Sequence, residues 1–326
     1  MEHYGTYFDR RYLSRGLALY RSMVRHCRPF SLSILCLDEF TGLVLSKMDL
    51  PEVHLVTLQE LESSDPGLLA VRENRSRVEY YFTLTPSFLL HLVDRVPGLK
   101  RITYLDADLS FFSSPSAIFD ELGEGSILIV GHRFPETLKP LEVYGIYNVG
   151  LLTFRGNPEG RLCLGWWRDR CLEWCYDRPE GGKFADQKYL DDWPDRFGAV
   201  VLENPGAGLA PWNQFQYRIR LAGGKVMVDG EPLVFYHFQG LRRANRWCYV
   251  LGMAEYGRPS RLLRRAVYLG IIREIEGLEK RISRVARERS IPGDSGDLRK
   301  ERIPFRSLLR RCVHRDLALS VGRWAL

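Results

Sequence analysis

The fold class this 326-residue sequence predicts is α/β: an open, mostly parallel sheet with helices on both faces, plus a basic α-helical carboxy-terminal appendage. Three observations lead there. Short apolar, β-favouring runs alternate with amphipathic segments through the first two thirds of the chain, the rhythm of strands joined by crossover helices. One run, Ile127-Leu128-Ile129-Val130, is continuously apolar and flanked by glycines, as a strand covered on both faces would be. Charge is also sorted along the chain. Residues 258–326 carry eighteen Lys and Arg against eight Asp and Glu, a net of +10, so residues 1–257 hold −3 of the whole chain's +7. The boundary is expected near Gly257, dividing an α/β body (1–257) from a basic helical region (258–326).

In order, an amphipathic stretch at 12–26 predicts a helix, followed by strands at 32–37 and 53–56. Residues 86–96 read as a helix, and 102–105, 127–130 and 149–154 as strands. A helix at 161–176 carries Cys163, Trp167, Cys171 and Cys175 every four residues. That spacing predicts a core-facing stripe, because a free Cys behaves as a small hydrophobe.

Composition is that of a globular protein, 45% hydrophobic and 27% charged. No apolar run approaches the ~18–20 residues of a membrane span. The first residues lack a charged segment followed by an apolar one, and seven cysteines form an odd set without metal-knuckle spacing. Free thiols and a cytoplasmic location are the expectation.

The segment Ile102-Thr103-Tyr104-Leu105-Asp106-Ala107-Asp108 carries the chemistry. A β run ends in two carboxylates separated by one small residue, and on extended backbone positions i and i+2 share a face. Asp106 and Asp108 can therefore converge on one cation, and hard oxygen ligands suit Mg²⁺ or Mn²⁺. In an open α/β sheet the ligand sits beyond the carboxyl ends of the strands, where this pair lies.

A strand followed by Asp-x-Asp resembles the metal and nucleotide-sugar signature of GT-A glycosyltransferases. Further segments resemble family 8 of these enzymes, in the same order. Thr6-Tyr7-Phe8-Asp9-Arg10-Arg11-Tyr12 looks like its Asp-x-x-Tyr element, which implies that Thr6, Asp9 and Tyr12 hold the nucleotide. Tyr rings can stack on bases and Asp can accept an imino hydrogen. Asn148-Val149-Gly150 is similar to the family's Asn-x-Gly, where the amide contacts the donor sugar and Gly permits close approach. Asp186-Gln187 resembles the pair that opens a short helix beside the reacting anomeric carbon. Trp212-Asn213 follows, and then His237-Phe238-Gln239-Gly240-Leu241-Arg242 resembles His-Phe-x-Gly. The resemblance implies that His237 completes the metal set with Asp106 and Asp108. It also implies that Gly240 offers its amide to the diphosphate, and that Arg242 or Arg243 neutralises the leaving phosphate.

Together these motifs span residues 6–243 and imply a metal-dependent, retaining glycosyltransferase. It would take a nucleotide diphosphate sugar, UDP-linked, and transfer to a glycan or lipid-linked glycan. The sequence also departs from family 8. The expected Tyr-x-Arg reads Tyr81-Phe82-Thr83, and Lys-Pro-Trp is replaced by Arg242-Arg243-Ala244. The pattern is closer to bacterial nucleotide-diphospho-sugar transferases of surface-polysaccharide and lipopolysaccharide gene clusters. Two rivals stand beside this reading. A sugar nucleotidyltransferase would need a Gly-rich amino-terminal loop, which Tyr4-Gly5-Thr6-Tyr7 does not provide. A non-enzymatic nucleic-acid binder would use the basic region, but its cations are interleaved with aliphatics and few aromatics.

In that basic region Tyr268, Ile271, Ile275, Leu278, Ile282 and Val285 recur at helical spacing. Arg264, Arg265, Arg273, Lys280, Arg281, Arg284, Arg287 and Arg289 crowd the same segment. Such a helix can lie on an anionic membrane surface, placing the enzyme peripherally on the cytoplasmic face. Alternatively its seam packs on the body or on a partner helix.

Overall fold

A computed structural model describes residues 1–245, 248–257 and 259–292, and the backbone of 317–319. β1 (Glu2–Phe8), α1 (Leu13–His26), β2 (Phe30–Cys36), α2 (Glu39–Ser46) and β3 (Val53–Thr57) open the chain. Helices α3 (Leu58–Ser64), α4 (Pro66–Arg72) and α5 (Arg77–Arg95) precede β4 (Arg101–Leu105) and β5 (Leu109–Phe111). Next come α6 (Ser116–Leu122), β6 (Ile127–Gly131), β7 (Tyr147–Arg155), α7 (Pro158–Glu173), α8 (Trp193–Phe197), β8 (Val200–Leu202) and β9 (Ala207–Leu209). Short strands follow: β10 (Ile219–Ala222), β11 (Lys225–Val228), β12 (Glu231–Pro232), β13 (Phe235–His237), β14 (Arg242–Asn245) and β15 (Cys248–Val250). The last described elements are α9 (Arg261–Leu263), α10 (Leu269–Glu288) and β16 (Leu317–Leu319).

The main sheet has seven strands in the order β3-β2-β1-β4-β7-β6-β8. Only β7 runs against its neighbours. Strand alternation sends side chains to two cores, one on each face. Leu105 and Ile34 join the core with α1, α2 and α10, while Tyr104 and Leu35 join the core with α5 and α7. The sheet is thus covered by helices on both faces, as the continuous apolar runs require. Cys163, Trp167, Cys171 and Cys175 are fully buried in the second core, as their spacing predicts.

A corrected boundary matters for function. The helix expected at 86–96 starts at Arg77, where Ser76 and Glu79 form a reciprocal capping box. Pro86 therefore lies inside the helix. A proline nitrogen cannot donate to the carbonyl four residues back, here Phe82, and the Thr85 hydroxyl lies 3.2 Å from that oxygen.

A second sheet, β5-β13-β9, closes the end of the main one. β13 pairs antiparallel with β5 so that His237 faces Leu109, one residue beyond Asp108. The Phe238 amide donates to the Asp108 carbonyl at 2.9 Å. Register alone therefore carries His237 to the aspartates.

The seam of the basic region faces inward. Tyr268, Ile271, Ile275, Leu278 and Ile282 are buried in the core shared with α1, and Val285 packs against it. This corrects the expectation of an apolar stripe dipping into lipid: the body takes that surface. Acidic residues of α10 also point to the body. Glu274 receives both guanidinium nitrogens of Arg25 at 2.9 Å, and Glu279 and Glu276 lie 2.9 and 3.5 Å from Arg243. Arg273, Lys280, Arg284 and Arg287 are exposed. Among the described residues, no helix is long and apolar enough to cross a membrane.

Candidate active site

Asp106 and Asp108 sit where β4 leaves the sheet. The Asp106 amide donates to the Gly150 carbonyl of β7 at 2.8 Å, and the Leu109 amide turns back to the Asp106 carbonyl at 3.2 Å. His237 Nε2 lies 3.1 Å from Asp108 Oδ1 and 3.6 Å from Asp106 Oδ2. One donor atom from each of the three falls within 4.8 Å of the others. Burial would lower the His237 pKa, but the Asp108 carboxylate bonded to it, with Asp106, raises it above the ordinary imidazole value. Burial also opposes charge on Asp108, and His237 outweighs it, so that carboxyl is held low. Asp106 is pushed up by burial against the pull of His237. Its side chain is 32% exposed, so water moderates that rise. The two carboxylates beside the His237 ring favour its protonated form more than water favours that of a free imidazole.

Gly150 shows why this centre needs a residue without a side chain. A Cβ there would meet Asn148 Oδ1 at 2.5 Å and His237 Nδ1 at 2.8 Å. The close approach expected of a ligand at Gly150 is made by the His237 ring. Gly240 likewise serves the backbone: its φ is +76°, and a Cβ would stand 2.9 Å from the Gly252 Cα.

A string of hydroxyls joins the aspartates to Asp186. Tyr104, two residues before Asp106 on the same strand face, donates to Asp106 Oδ1 at 2.9 Å. Its ring lies 5.6 Å from that of Tyr7. The Tyr7 hydroxyl is 3.0 Å from Thr85 Oγ1, which donates to Asp186 Oδ2 at 3.0 Å. Asp186 is buried, and burial, helped by the Asp106 charge, raises its pKa to about 7 despite Thr85. Ala185 before it has a left-handed φ of +46°, a strained conformation for a residue with a Cβ. Trp167 Nε1 holds the Asp186 carbonyl at 2.8 Å.

Asn148 and Gln187 meet, with Asn148 Nδ2 at 3.4 Å from Gln187 Oε1. Asp186 and Gln187 immediately precede a 3₁₀ turn, Lys188–Asp192, which is the short helix the pair was expected to open. Trp212 lies beside the site, its ring 5.4 Å from His237 and its Nε1 donating to the His132 carbonyl.

The expected nucleotide residues gather at the exit of β1. Thr6 is buried, and its Oγ1 has no partner among the described residues. Asp9 is nearly buried and accepts from the Arg11 amide at 2.9 Å. Tyr12 is exposed, with the Arg15 guanidinium 4.4 Å over its ring. Arg243, by contrast, is engaged elsewhere, bonded to Glu279 and to the Tyr249 hydroxyl. Its charge anchors α10, and strand alternation puts Arg242 on the other face of β14.

Four participants escaped the sequence reading. Tyr104 shares a strand face with Asp106, which spacing could have revealed. Thr85 owes its place to Pro86. His132 follows an apolar strand as Asp106 does, the same strand-end signal. Arg15 donates to the Leu241 carbonyl at 2.7 Å, and its charge helps keep the Asp108 carboxyl low.

No family model matches the chain. Among solved structures, the galactosyltransferase LgtC in complex with donor and acceptor sugar analogs is 15% identical, covering 94% of this chain and 99% of that one at a TM-score of 0.48. Mouse xyloside xylosyltransferase 1 in its apo form is 14% identical, covering 73% of this chain and 97% of that one at 0.46. Likeness at that level shows neither a shared activity nor a shared ligand. Sequence similarity is firmer for two uncharacterized proteins of Bacillus subtilis strain 168. YfnD is 33% identical over 242 residues, 73% of this chain and 77% of its own length. YfnF is 36% identical over 248 residues, 73% of this chain and 81% of its own length. The chain belongs to the family of YfnF and YfnD.

Proposed function

We propose that this protein is a GT-A glycosyltransferase that uses a divalent ion, Mn²⁺ or Mg²⁺, to move a sugar from a UDP-linked donor to a glycan or lipid-linked glycan. The observation that carries this reading is the convergence of Asp106, Asp108 and His237 at the carboxyl end of a central strand. Two hard oxygens and an imidazole suit such an ion, and the carboxylates around His237 favour positive charge there. When bound, the ion would supply Lewis acidity to the donor diphosphate.

The chain's own residues supply the rest. Thr6, Asp9 and Tyr12 stand at the exit of β1, on the side where the base would lie, with Tyr12 exposed to stack on it and the Thr6 hydroxyl buried behind. Arg242, and Arg15 whose charge is felt by Asp108, are the cations that would meet negative charge on the leaving phosphate. Asp186, Gln187 and Asn148 form the wall for the donor sugar, with Asp186 neutral or charged according to pH near 7. Retention of configuration follows if the acceptor attacks from the face of the departing diphosphate, with Gln187 and Asp186 lining the opposite one.

Peripheral attachment to a cytoplasmic membrane face rests on charge alone, through Arg273, Lys280, Arg284 and Arg287, since the apolar seam is buried. The experiment for the whole reading is a screen of nucleotide sugars for Mn²⁺-dependent donor hydrolysis. Release of UDP from one donor supports it, and inertness toward every nucleotide sugar contradicts it.

A further inference from the structure

His132 stands one residue past the carboxyl end of β6, and none of the roles above uses it. Its ring is buried, stacked on Phe134 at 4.7 Å and edge-on to Trp212 at 5.3 Å. The backbone holds it from both sides: its amide donates to the Ile146 carbonyl at 2.9 Å, and its carbonyl accepts from Asn213 Nδ2 at 3.0 Å. The ring nitrogens face Ile146 O at 3.3 Å and Asn148 Nδ2 at 3.3 Å.

Elementary hydrogen-bond accounting fixes the protons. A carbonyl can only accept, so Nδ1 carries the hydrogen that faces Ile146. Nε2 then has a lone pair and can only accept, so the Asn148 group facing it must be the NH₂. The other end agrees: the Gly150 amide donates to Asn148 Oδ1 at 2.8 Å. The second Asn148 hydrogen points to Gln187 at 3.4 Å, which must therefore present Oε1, and Gln187 Nε2 correspondingly donates to the Tyr144 carbonyl at 2.9 Å. Each amide is oriented by one backbone group and one side-chain neighbour, and His132 is the side-chain partner at the start of the series.

We propose that His132 is a positioning residue of the transfer site, setting through Asn148 which face of the Gln187 amide meets the donor sugar. This rests on the glycosyltransferase reading for what Gln187 meets, and on geometry alone for the orientation. Gln187 Oε1 keeps a second lone pair for a sugar hydroxyl or for positive charge on the reacting carbon, whereas the reversed amide would present hydrogens there. Burial pushes the His132 pKa down to about 4, so the lone pair that starts the series persists at neutral pH. A protonated or absent acceptor would remove one of the two contacts that orient Asn148, leaving only the Gly150 amide on Oδ1, and would loosen the Asn148 contact that steadies Gln187 beside the Tyr144 carbonyl.

The test compares wild type with His132→Phe, which fills the space without an acceptor, and His132→Gln, whose Oε1 can accept. Donor hydrolysis is followed with UDP-glucose and UDP-galactose and Mn²⁺, UDP affinity by titration, and the side-chain NH₂ groups of Asn148 and Gln187 by amide exchange in NMR spectra. His132→Phe is expected to lower kcat roughly ten- to hundredfold, with UDP affinity changed less than about twofold and faster exchange of the Asn148 NH₂. His132→Gln is expected to recover most of both. Unchanged kcat and exchange in His132→Phe, or no recovery in His132→Gln, would overturn the proposal. If Phe prevents folding, His132→Leu takes its place with the same expectations. If the wild type hydrolyses neither sugar, the functional reading fails for those donors, and the amide exchange still decides the orientation.

Discussion

The Thr85 hydroxyl donates to the Asp186 carboxylate at 3.0 Å, tying α5 to the loop before the 3₁₀ turn across 101 positions of sequence. Pro86 leaves the Phe82 carbonyl without its helical donor, and the Thr85 hydroxyl sits 3.2 Å from that oxygen while its hydrogen goes to Asp186. A hydroxyl is a weak partner for a buried charge. Burial raises Asp186 to about 7 because the Thr85 bond lowers it too little to compensate, where an Arg at the same place would have held it low.

That shift has a sign that can be checked. The folded-state pKa lies above the unfolded value of 3.8, so the folded protein binds the proton more tightly. The corresponding stability is complete below pH 4 and is lost as pH rises through about 7. Asp186→Asn, which cannot ionise, should be more stable than wild type at pH 8, by at most about 4 kcal/mol, with the gap closing toward pH 4. Urea unfolding at several pH values measures this. A gap that does not change with pH would refute it.

Asp108→Asn keeps the volume and removes the charge. It should fold, with circular dichroism like wild type, and lower Mn²⁺-dependent turnover by about two orders of magnitude. Full activity in excess chelator, in wild type or variant, would remove the metal from the account.

Gly150→Ala places a methyl 2.8 Å from His237 Nδ1 and 2.5 Å from Asn148 Oδ1. Either the ring or the strand must move. A cost of about 1–3 kcal/mol in denaturant unfolding is expected, with weaker Mn²⁺ affinity because His237 is displaced. Wild-type stability and metal binding would show that Gly150 has room the structure does not show.

The basic region should behave as part of the body. Truncation after Gly257 strips Ile271, Ile275, Leu278 and Ile282 from a core they share with α1, and Ile282→Ala alone should cost about 2–5 kcal/mol. The truncated chain is expected to aggregate. A soluble, monomeric, cooperative product would restore the appendage as a separate unit. Reversing Arg273, Lys280, Arg284 and Arg287 to Glu leaves the seam intact, and should abolish salt-sensitive co-sedimentation with anionic vesicles if charge attaches the protein there.

Much of the site was legible because strand geometry is periodic. The i, i+2 spacing put Asp106 and Asp108 on one face, and an apolar run ending in His237 marked a strand end. What escaped depends on contacts no local pattern carries. The partner for Arg243 is an acidic pair on α10, more than thirty positions away. Gly150 looked free for a ligand because the His237 ring approaches it from another sheet. Pro86 looks like a helix start, but Ser76 and Glu79 spell out an earlier cap, and α5 begins there. The amphipathic pattern of α10 marks a helix, but periodicity alone cannot say whether the seam meets lipid or protein.

The most direct test of the central claim is calorimetric titration of UDP into the protein with and without Mn²⁺, using wild type and Asp108→Asn. The account predicts that wild type binds UDP measurably only with the ion, or at least about tenfold more tightly with it, and that Asp108→Asn loses this gain. Binding of UDP that is indifferent to Mn²⁺, or no binding in either condition, would contradict it.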